Sequence, residues 1–339
     1  MAESHPFGWL LALALLLPVA MLLSLSYGRF PLTPGEVAAT LMGLADPDAG
    51  PARAGLLQSL VYEIRLPRVL AAALIGAALA ASGTAYQAVF VNPLVSPGIL
   101  GVLAGASCGA ALGLLAGQGW WLVQLLSIGG GLAAMLVGIG IGRLFGVQSL
   151  VMLVLGGIFS GALFSALLSL VKYLADPYEQ LPAIVYWLMG SLGQVDGATL
   201  WRLAPPMLAG ILGLAVLGRA LDALAMGDDA ARSLGVPVRA VRGMVIGCAT
   251  VASALTVAIA GTIGWVGLLV PHMARLLVGP LNRYLVPASA LLGAVFLLAA
   301  DALARGLGDT ELPIGIVTEL VGLPIFLLVL RNVRRGWGS

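Results

Sequence analysis

Residues 69–90 read VLAAALIGAALAASGTAYQAVF, a stretch of 22 residues with no charged side chain. An α-helix needs about 20 mostly apolar residues to cross the hydrocarbon core of a bilayer, so this stretch predicts a transmembrane helix. Apolar runs of the same character recur along the chain. We place ten of them at residues 8–27, 69–90, 98–117, 120–142, 149–174, 203–221, 244–263, 264–278, 285–304 and 314–330. The sequence therefore predicts an all-α polytopic membrane protein with about ten transmembrane helices.

The composition supports a membrane location for nearly the whole chain. Of 339 residues, 60% are hydrophobic and only 9% are charged, and the mean hydropathy is +1.05. The apolar runs extend from Gly8 almost to Arg331, which indicates a single transmembrane domain over residues 1–339. The formal net charge of +2 is too small and too scattered for a nucleic-acid partner. The expected surroundings are therefore the lipid bilayer.

Two apolar segments do not fit a full crossing. The eighth run, 264–278, is short and follows the seventh almost without a break, and losing it would reverse the topology downstream. A further run, 183–192, is too brief to cross a bilayer and predicts a surface or re-entrant helix.

The distribution of basic residues predicts the orientation. With ten crossings and both termini in the cytoplasm, ten arginines lie on the cytoplasmic side, against seven basic residues outside. The dense tail at 331–335 agrees with this choice. Arginines on the outer side then need a reason of their own.

A stripe of glycines marks one face of the third run. Gly101, Gly105, Gly109, Gly113 and Gly117 recur at every fourth position. Small residues at this spacing let another helix approach closely within a membrane. The stripe therefore predicts tight helix packing.

The side chains that bind metals are nearly absent. Cys108 and Cys248 lie inside separate apolar runs, and the chain has only two histidines, His5 and His272. No spacing among them resembles a metal or haem site, so we expect no metal centre and no disulfide.

The chain also lacks the residues of an ATPase site. Lys172 is its only lysine, and no Gly-x-x-x-x-Gly-Lys-Ser/Thr motif precedes a predicted helix. If ATP drives this protein, a separate chain hydrolyses it. The present chain then needs a surface that receives the motion of that partner.

The longest polar segment between runs, residues 222–243, offers such a surface. Asp228 and Asp229 suit the first turn of a short helix, where the helix dipole favours negative charge. Gly235 suits the left-handed closing position, and Pro237 is expected to open a second short helix. The segment therefore predicts two small helices at a sharp angle.

The segment resembles the Glu-Ala-Ala-x-x-x-Gly coupling loop of ABC importer permeases, with Asp229 in place of the glutamate. Further motifs resemble the permease family for iron-siderophores, haem and cobalamin. They are Arg65-Leu-Pro-Arg68, Gly76-Ala-Ala-Leu-Ala-Ala-Ser-Gly83, Asn92-Pro-Leu-Val-Ser-Pro-Gly98, Gly264-Trp-Val-Gly-Leu-Leu-Val-Pro-His272 and Glu311-Leu-Pro-Ile-Gly315. Their order and their reach from residue 65 to residue 315 make the resemblance specific.

The resemblance implies the type II ABC importer permease fold and a set of partners. These are a second copy of the chain in a homodimer, two cytoplasmic ATPase subunits that bind ATP and magnesium, and an external substrate-binding protein. The chain itself would hold no cofactor and would lie in the bacterial inner membrane. The residues expected to couple to the ATPase are Gly227, Asp228, Asp229, Ala230, Ala231, Arg232, Leu234, Gly235 and Pro237.

The resemblance also explains the arginines on the outer side. Arg65, Arg68 and Arg305 match positions at which such permeases dock acidic residues of the binding protein. Charge complementarity of this kind sets the orientation and the rate of encounter. Asp301 lies one helical turn before Arg305, so an internal ion pair competes with docking there.

The family places a cytoplasmic gate at the mouth between the second and third runs. Asn92 and Leu94 match that position, and Pro93 keeps the backbone there non-helical. Ser149 and Leu150, at the entry to the fifth run, match a second gate, although this sequence departs from relatives there.

A rival function rests on three ionisable residues in or near the membrane, Asp301, Glu319 and His272. Ionisable groups in a membrane are functional candidates, and a relay through Asp301 or Glu319 would suit an ion-coupled secondary transporter. We expect structural roles for all three, because the coupling segment would otherwise be unexplained.

The resemblance favours an importer of an iron chelate, a siderophore complex or haem, with cobalamin or an oxyanion such as molybdate as alternatives. A passive channel is the third class.

Overall fold

The structure is a computed structural model that describes residues 6–44, 50–144, 150–307 and 310–336, with only the backbone at 50–52 and 329–336. Within these ranges the chain is helical and contains no strand. The helices are α1 (Pro6–Ser26), α2 (Pro34–Leu41), α3 (Gly50–Ser59), a π-helical turn (Leu60–Arg65), α4 (Leu66–Val89), α5 (Val102–Ala116), α6 (Trp120–Leu144), α7 (Leu150–Leu174), α8 (Gln180–Leu188), α9 (Gly197–Val216), α10 (Gly218–Ala225), α11 (Asp228–Ser233), α12 (Val238–Ala260), α13 (Val266–Val278), α14 (Asn282–Gly306) and α15 (Ile314–Gly336).

Seven helical segments are long and apolar enough to cross a bilayer. They are Pro6–Ser26, Arg53–Val89, Trp120–Leu144, Leu150–Leu174, Gly197–Val216, Val238–Ala260 and Asn282–Gly306. Three more, α5, α13 and residues Ile314–Leu328 of α15, are apolar but only 10–17 residues long. Each of the ten predicted runs thus coincides with an apolar helix, and the prediction of an all-α polytopic membrane protein is confirmed.

The short eighth run forms α13, which has 13 residues. A non-helical segment, 261–265, separates it from α12, and Trp265 within that segment has a positive φ of 67°. The prediction of a brief helix at 183–192 is also confirmed, because α8 has 9 residues and ends at Leu188. The Thr262 hydroxyl donates to the Leu188 carbonyl, so α8 lies against the segment that joins α12 to α13.

α4 lies at the centre of the helix bundle, and most of its residues are buried. Gly76 packs against the backbone of Gly293 in α14, and Gly83 packs against the backbone of Gly267 in α13. A Cβ atom at Gly76 or Gly83 would overlap a carbonyl group of the facing helix. Lipid offers no hydrophobic drive for helix association, so such close backbone packing holds α4 against its neighbours.

The glycine stripe packs as predicted. Gly105, Gly109 and Gly113 of α5 face the backbone of α6, and a Cβ at Gly113 would lie 2.6 Å from Cα of Val123. Gly101 and Gly117 flank α5 with φ angles of +75° and +65°. The stripe therefore gives α5 and α6 a close contact, and its outer members form the bends at both ends.

The ends of the helices form two separate clusters. At one end Arg68, in the first turn of α4, bonds to Asp301 near the end of α14. At the other end Arg275, late in α13, bonds to Gln87 late in α4. We call the first cluster the Arg68 end and the second, which also holds α10 and α11, the Asp228 end.

Candidate functional site

The segment predicted to couple to an ATPase, residues 222–243, lies at the Asp228 end. Within it α11 covers only Asp228–Ser233, and α12 begins at Val238. Gly227 and Gly235 flank α11 with φ angles of +101° and +78°. Glycine adopts such angles without the steric cost of a Cβ, so these residues produce the bends on both sides of α11.

α11 ends in a Schellman motif. The Gly235 N–H donates to the Arg232 carbonyl at 2.9 Å, and the Val236 N–H donates to the Ala231 carbonyl at 3.0 Å. These bonds satisfy carbonyl groups that the last turn of a helix leaves without partners. The predicted left-handed closing position of Gly235 is confirmed.

The chain after Pro237 differs from the prediction. We expected Pro237 to open a second short helix, but it directly precedes α12, a single helix of 23 residues from Val238 to Ala260. Proline has no N–H to donate, so it fits just before a helix, where N–H groups lack acceptors. The bend therefore joins α11 directly to α12.

The coupling residues divide into an anchored group and an exposed group. Ala231 is fully buried in the main core, and the Arg242 guanidinium donates to the Asp228 carboxylate at 2.6 Å, which ties α11 to α12. Gly227 and Ala230 are half-buried. The exposed group consists of Asp229, Arg232, Leu234, Gly235 and Pro237. This group places two charges and the apolar side chain of Leu234 at the surface.

α10 attaches the coupling segment to α14. Leu221 and Leu224 of α10 are buried, and the Asp222 carboxylate accepts a hydrogen bond from the N–H of Asn282, the first residue of α14. A carboxylate at this position satisfies a free N–H and interacts favourably with the positive end of the helix dipole. The opposite end of α14 holds Asp301, so this one helix connects the two ends of the bundle.

The first predicted gate is a non-helical turn, as expected. The Leu94 N–H donates to the Asn92 side-chain oxygen at 2.9 Å, and Val91 has a φ of +47°. The Asn92 N–H donates to the Gln87 carbonyl at 3.1 Å, while Arg275 donates to the Gln87 side chain at 3.0 Å. Gln87 therefore links the end of α13 to this turn.

The structure describes only half of the second predicted gate. Ser149 lies outside the described residues. Leu150 is the first residue of α7, where it is half-buried and packs against the main core. A gating role for Asn92, Leu94, Ser149 and Leu150 stays a prediction.

Arg68 lies in a buried ion-pair network at the Arg68 end. Its Nε donates to Asp301 Oδ1 at 2.9 Å, and its NH1 atom donates to the Glu311 carboxylate at 2.9 Å. Arg305 Nε lies 3.0 Å from Asp301 Oδ2, although this contact lacks the alignment of a hydrogen bond. The expected pair between Asp301 and Arg305 is therefore present, and the Asp301 side chain is fully buried between two arginines.

The other predicted docking arginines hold the end of α1. Arg65 is buried and donates to the carbonyl groups of Leu25 and Ser26, at 2.5 and 3.2 Å, and of Phe30. Arg305 donates to the carbonyl of Ser24 at 3.2 Å and to that of Tyr27. Both guanidinium groups thus satisfy carbonyls that the last turn of α1 leaves free.

These bonds bear directly on the docking prediction. Arg65, Arg68 and Arg305 all use guanidinium donors on partners within the chain, and each side chain is largely buried. Glu311, with 39% of its side chain exposed, is the solvent-facing member of the network. Docking through the three arginines stays a prediction, and it requires an acidic partner to compete with these internal bonds.

The remaining ionisable candidates differ in their surroundings. His272 is buried, its Nδ1 atom lies 2.9 Å from the Leu268 carbonyl, and its ring stacks edge-on against Phe326. Glu319 is exposed on the surface of α15 and makes no ion pair with any described residue. The expected structural roles fit the contacts of Asp301 and His272, whereas no contact of this kind explains Glu319.

Comparison with known proteins gives a consistent result over almost the whole chain. The model of the FecCD transport family matches residues 16–332. The chain is 37% identical over 335 residues to the molybdate import system permease protein MolB of Haemophilus influenzae, with 98% of each chain covered. It is 38% identical over 331 residues to the vitamin B12 import system permease protein BtuC of Salmonella typhimurium, with 96% of each chain covered.

A solved structure agrees with these sequence relatives. A metal-chelate type ABC transporter in an inward-facing conformation superposes with a TM-score of 0.84 at 36% sequence identity, covering 95% of this chain and 98% of that one. The arrangement of helices described above is thus one already seen in an ABC transporter.

Proposed function

This chain belongs to the FecCD transport family, and we propose that it moves an iron chelate, either a siderophore complex or haem, across the bacterial inner membrane. It is the permease subunit of an ABC importer, so a separate ATPase subunit hydrolyses the ATP. The similarity to a metal-chelate type transporter supports a chelate as cargo. Cobalamin and molybdate are the alternatives, since relatives named for each are nearly equally similar, at 38% and 37% identity.

One observation carries the proposed coupling to the ATPase. α11 is held to α12 by the Asp228–Arg242 pair and closed by Gly235, while Asp229, Arg232 and Leu234 point outward. A rigid short helix with an exposed face is suited to receive a push and to transmit it. Two ATPase subunits, with ATP and magnesium bound to them, would engage this face in a homodimer of the permease.

We propose ten crossings, including the three short helices. α13 supports this count because it runs between the two ends of the bundle. In the segment before α13, Thr262 donates to the Leu188 carbonyl. Two residues after Leu188, the Gly190 carbonyl accepts from the Ile314 N–H at the start of α15. The last turn of α13 bonds to Gln87 through Arg275. With ten crossings, the Asp228 end and both termini lie in the cytoplasm, and the Arg68 end faces outward.

The coupling proposal is tested at Leu234, which is 62% exposed and therefore tolerates a change without loss of folding. The variant Leu234→Asp should lower ATPase binding to the permease and abolish ATP-driven uptake in proteoliposomes. Leu44→Asp is the matched control, because Leu44 is 60% exposed and lies beyond α2. Ala231→Asp is less suitable, since it would bury an unpaired carboxylate in the core.

The outcome separates two explanations. If Leu234→Asp binds the ATPase and transports cargo as the unmodified permease does, α11 is not the coupling element. If Leu44→Asp loses ATPase binding equally, the effect is not specific to the Asp228 end. Co-purification with the ATPase and uptake together distinguish these results.

Docking of a binding protein through Arg68 is tested by removing the charge of Glu311, which competes for Arg68 with an acidic residue of the binding protein. Glu311→Gln removes a negative charge from the outer surface and replaces the charged acceptor of the Arg68 NH1 atom with a neutral one, which weakens that bond. If Arg68 docks acidic residues of a binding protein, this variant should raise the association rate severalfold at low salt, and Arg68→Gln should lower it. An unchanged or slower association of Glu311→Gln would contradict docking through Arg68.

The substrate and the energy source are tested together in proteoliposomes that hold the permease and its ATPase. Ferric siderophore, haem, cobalamin and molybdate are supplied in turn with the binding protein, with ATP inside and no ion gradient. Uptake of a ferric chelate that requires ATP is the expected result. Uptake that needs an ion gradient and stops in Glu319→Gln would favour the secondary transporter, and uptake that needs neither would favour a channel.

A further inference from the structure

A cavity of about 400 Å³ opens on the surface between α9 and α14 at the Asp228 end. Its lining residues are Ala215, Val216, Arg219, Arg283 and Tyr284. Gly218, the first residue of α10, explains why α10 and α14 meet beside the cavity, because a Cβ at this position would lie 2.8 Å from the Cα of Arg283. The close approach places two arginines from distant parts of the sequence on one cavity.

Neither arginine is neutralised by a residue that the structure describes. No described carboxylate oxygen forms an ion pair with Arg219 or Arg283, and both side chains are exposed. Asp222 is the carboxylate nearest to Arg219 in sequence, but it accepts from the Asn282 N–H. The Arg283 guanidinium lies 4.8 Å from the centre of the Tyr284 ring, which supports it from one side. The cavity therefore carries a positive charge with donors available to an anion.

An apolar stripe leads away from the cavity along α9. Leu208, Leu212 and Val216 recur at every fourth position and are all exposed, Val216 by 83% of its surface. Residues four apart lie on one face of a helix, so the three side chains form a continuous strip about 12 Å long. The strip begins beside the arginines and runs toward the middle of α9.

We propose that this cavity binds the phosphate headgroup of an anionic phospholipid, with one acyl chain lying along the stripe of α9. Arginine donors match phosphate oxygens in pairs, and basic pockets between membrane helices hold anionic headgroups. Tyr284 has the amphipathic character typical of side chains at the headgroup level. A free phosphate ion would use the arginines alone, whereas a phospholipid also covers Leu208, Leu212 and Val216.

The site has a mechanical consequence that is independent of the cargo. Arg219 belongs to α10, and Arg283 belongs to the first turn of α14. A headgroup that bridges them adds a second link between these helices, next to the bond from Asp222 to Asn282. The lipid thus joins the coupling segment to α14.

Native mass spectrometry of the intact complex of permease and ATPase tests the site. The complex is exchanged into detergent with equal amounts of phosphatidylglycerol and phosphatidylcholine, and the lipids that remain bound are counted. Preferential retention of phosphatidylglycerol is expected. Replacing both arginines, Arg219→Gln with Arg283→Gln, should weaken that retention about 25-fold, and each single change about fivefold.

Arg202→Gln is the matched control, because Arg202 is an exposed arginine on α9, the helix that carries the stripe, but it lies over Trp121 and does not line the cavity. It should retain phosphatidylglycerol as the unmodified complex does. Equal retention of both lipids by the unmodified complex, or undiminished retention by the double variant, would overturn the proposal. A loss in the double variant together with loss of the ATPase would also overturn it, since the arginines would then serve assembly.

Two further arms identify the occupant. If inorganic phosphate displaces phosphatidylglycerol completely at millimolar concentration, the arginines bind a free anion and the stripe is not used. If Val216→Cys forms a disulfide with the same residue of a second copy, the stripe is an interface between copies. Retention of phosphatidylglycerol against phosphate, with no such disulfide, supports the phospholipid site.

Discussion

The two ends of the helix bundle use the same residue types with opposite exposure. At the Arg68 end, Asp301 is fully buried between Arg68 and Arg305, and its pair with Arg68 joins α4 to α14. At the Asp228 end, the Asp229 side chain is fully exposed and pairs with Arg232 within one short helix. Buried charges that lose a partner are costly, whereas exposed pairs contribute little to stability. The Arg68 end is therefore built to hold helices together, and the Asp228 end is built to present a surface.

The largest effect is expected from Asp301→Ala. This change leaves Arg68 and Arg305 buried without their shared carboxylate, which should lower the free energy of unfolding by about 3–5 kcal/mol. Denaturant unfolding of the purified permease measures it. Glu311→Ala is the control, since its side chain is 39% exposed, and it should cost less than about 1 kcal/mol. Equal losses in the two variants would mean that burial does not set the difference.

A smaller loss is expected from Arg65→Gln, which tests the attachment of α1. The change removes donors to the carbonyls of Leu25, Ser26 and Phe30, and should cost about 1–3 kcal/mol in the free energy of unfolding. Proteolysis should also cleave more readily after α1. Arg53→Gln is the control, because Arg53 is exposed and, among the described residues, pairs with Glu36 alone. Unaltered unfolding of Arg65→Gln would show that Arg65 is available for another role.

A still smaller loss of stability is expected at the Asp228 end from Asp222→Ala. It removes the acceptor at the start of α14 and should lower the free energy of unfolding by about 1 kcal/mol. Because α10 would no longer be bonded to α14, the amount of cargo moved per ATP should fall. Asp222→Asn keeps an acceptor oxygen and should restore most of this ratio. A ratio that stays normal in Asp222→Ala would exclude the bond from the coupling path.

The smallest effect on stability is expected from Arg232→Ala. Arg232 is exposed and pairs with the exposed Asp229, so the unfolding midpoint should not change. ATPase binding should nevertheless weaken, and the weakening should disappear at high salt, which screens exposed charges. A clear drop in the unfolding midpoint would show that the exposed face of α11 contributes to stability, contrary to the comparison of the two ends.

Local patterns predicted the elements well, and one readable signal was missed. The apolar runs and the closing glycine at Gly235 depend on neighbouring residues only, so they could be predicted without knowledge of the fold. Thr33 and Glu36 form a capping box that starts α2, a pattern visible in the sequence. Hydrogen bonds from the Thr33 backbone and hydroxyl, together with Arg53, hold the pKa of Glu36 below its usual value. The continuation of Pro237 into α12 was misjudged, because a proline marks a helix start without indicating its length.

By itself the sequence determined the membrane class, the helical runs, the absence of a P-loop and the position of the short bent segment at 222–243. These features follow from composition and from interactions within a few residues. In a bilayer the backbone must satisfy its own hydrogen bonds, so an apolar run of sufficient length forms a helix. Only the tertiary structure decided which charges are buried. Arg68 meets Asp301 across 233 positions, and Arg305 meets Tyr27 across 278, so their exposure depends on how distant helices pack. The same packing brings Arg219 to Arg283 at the proposed lipid site.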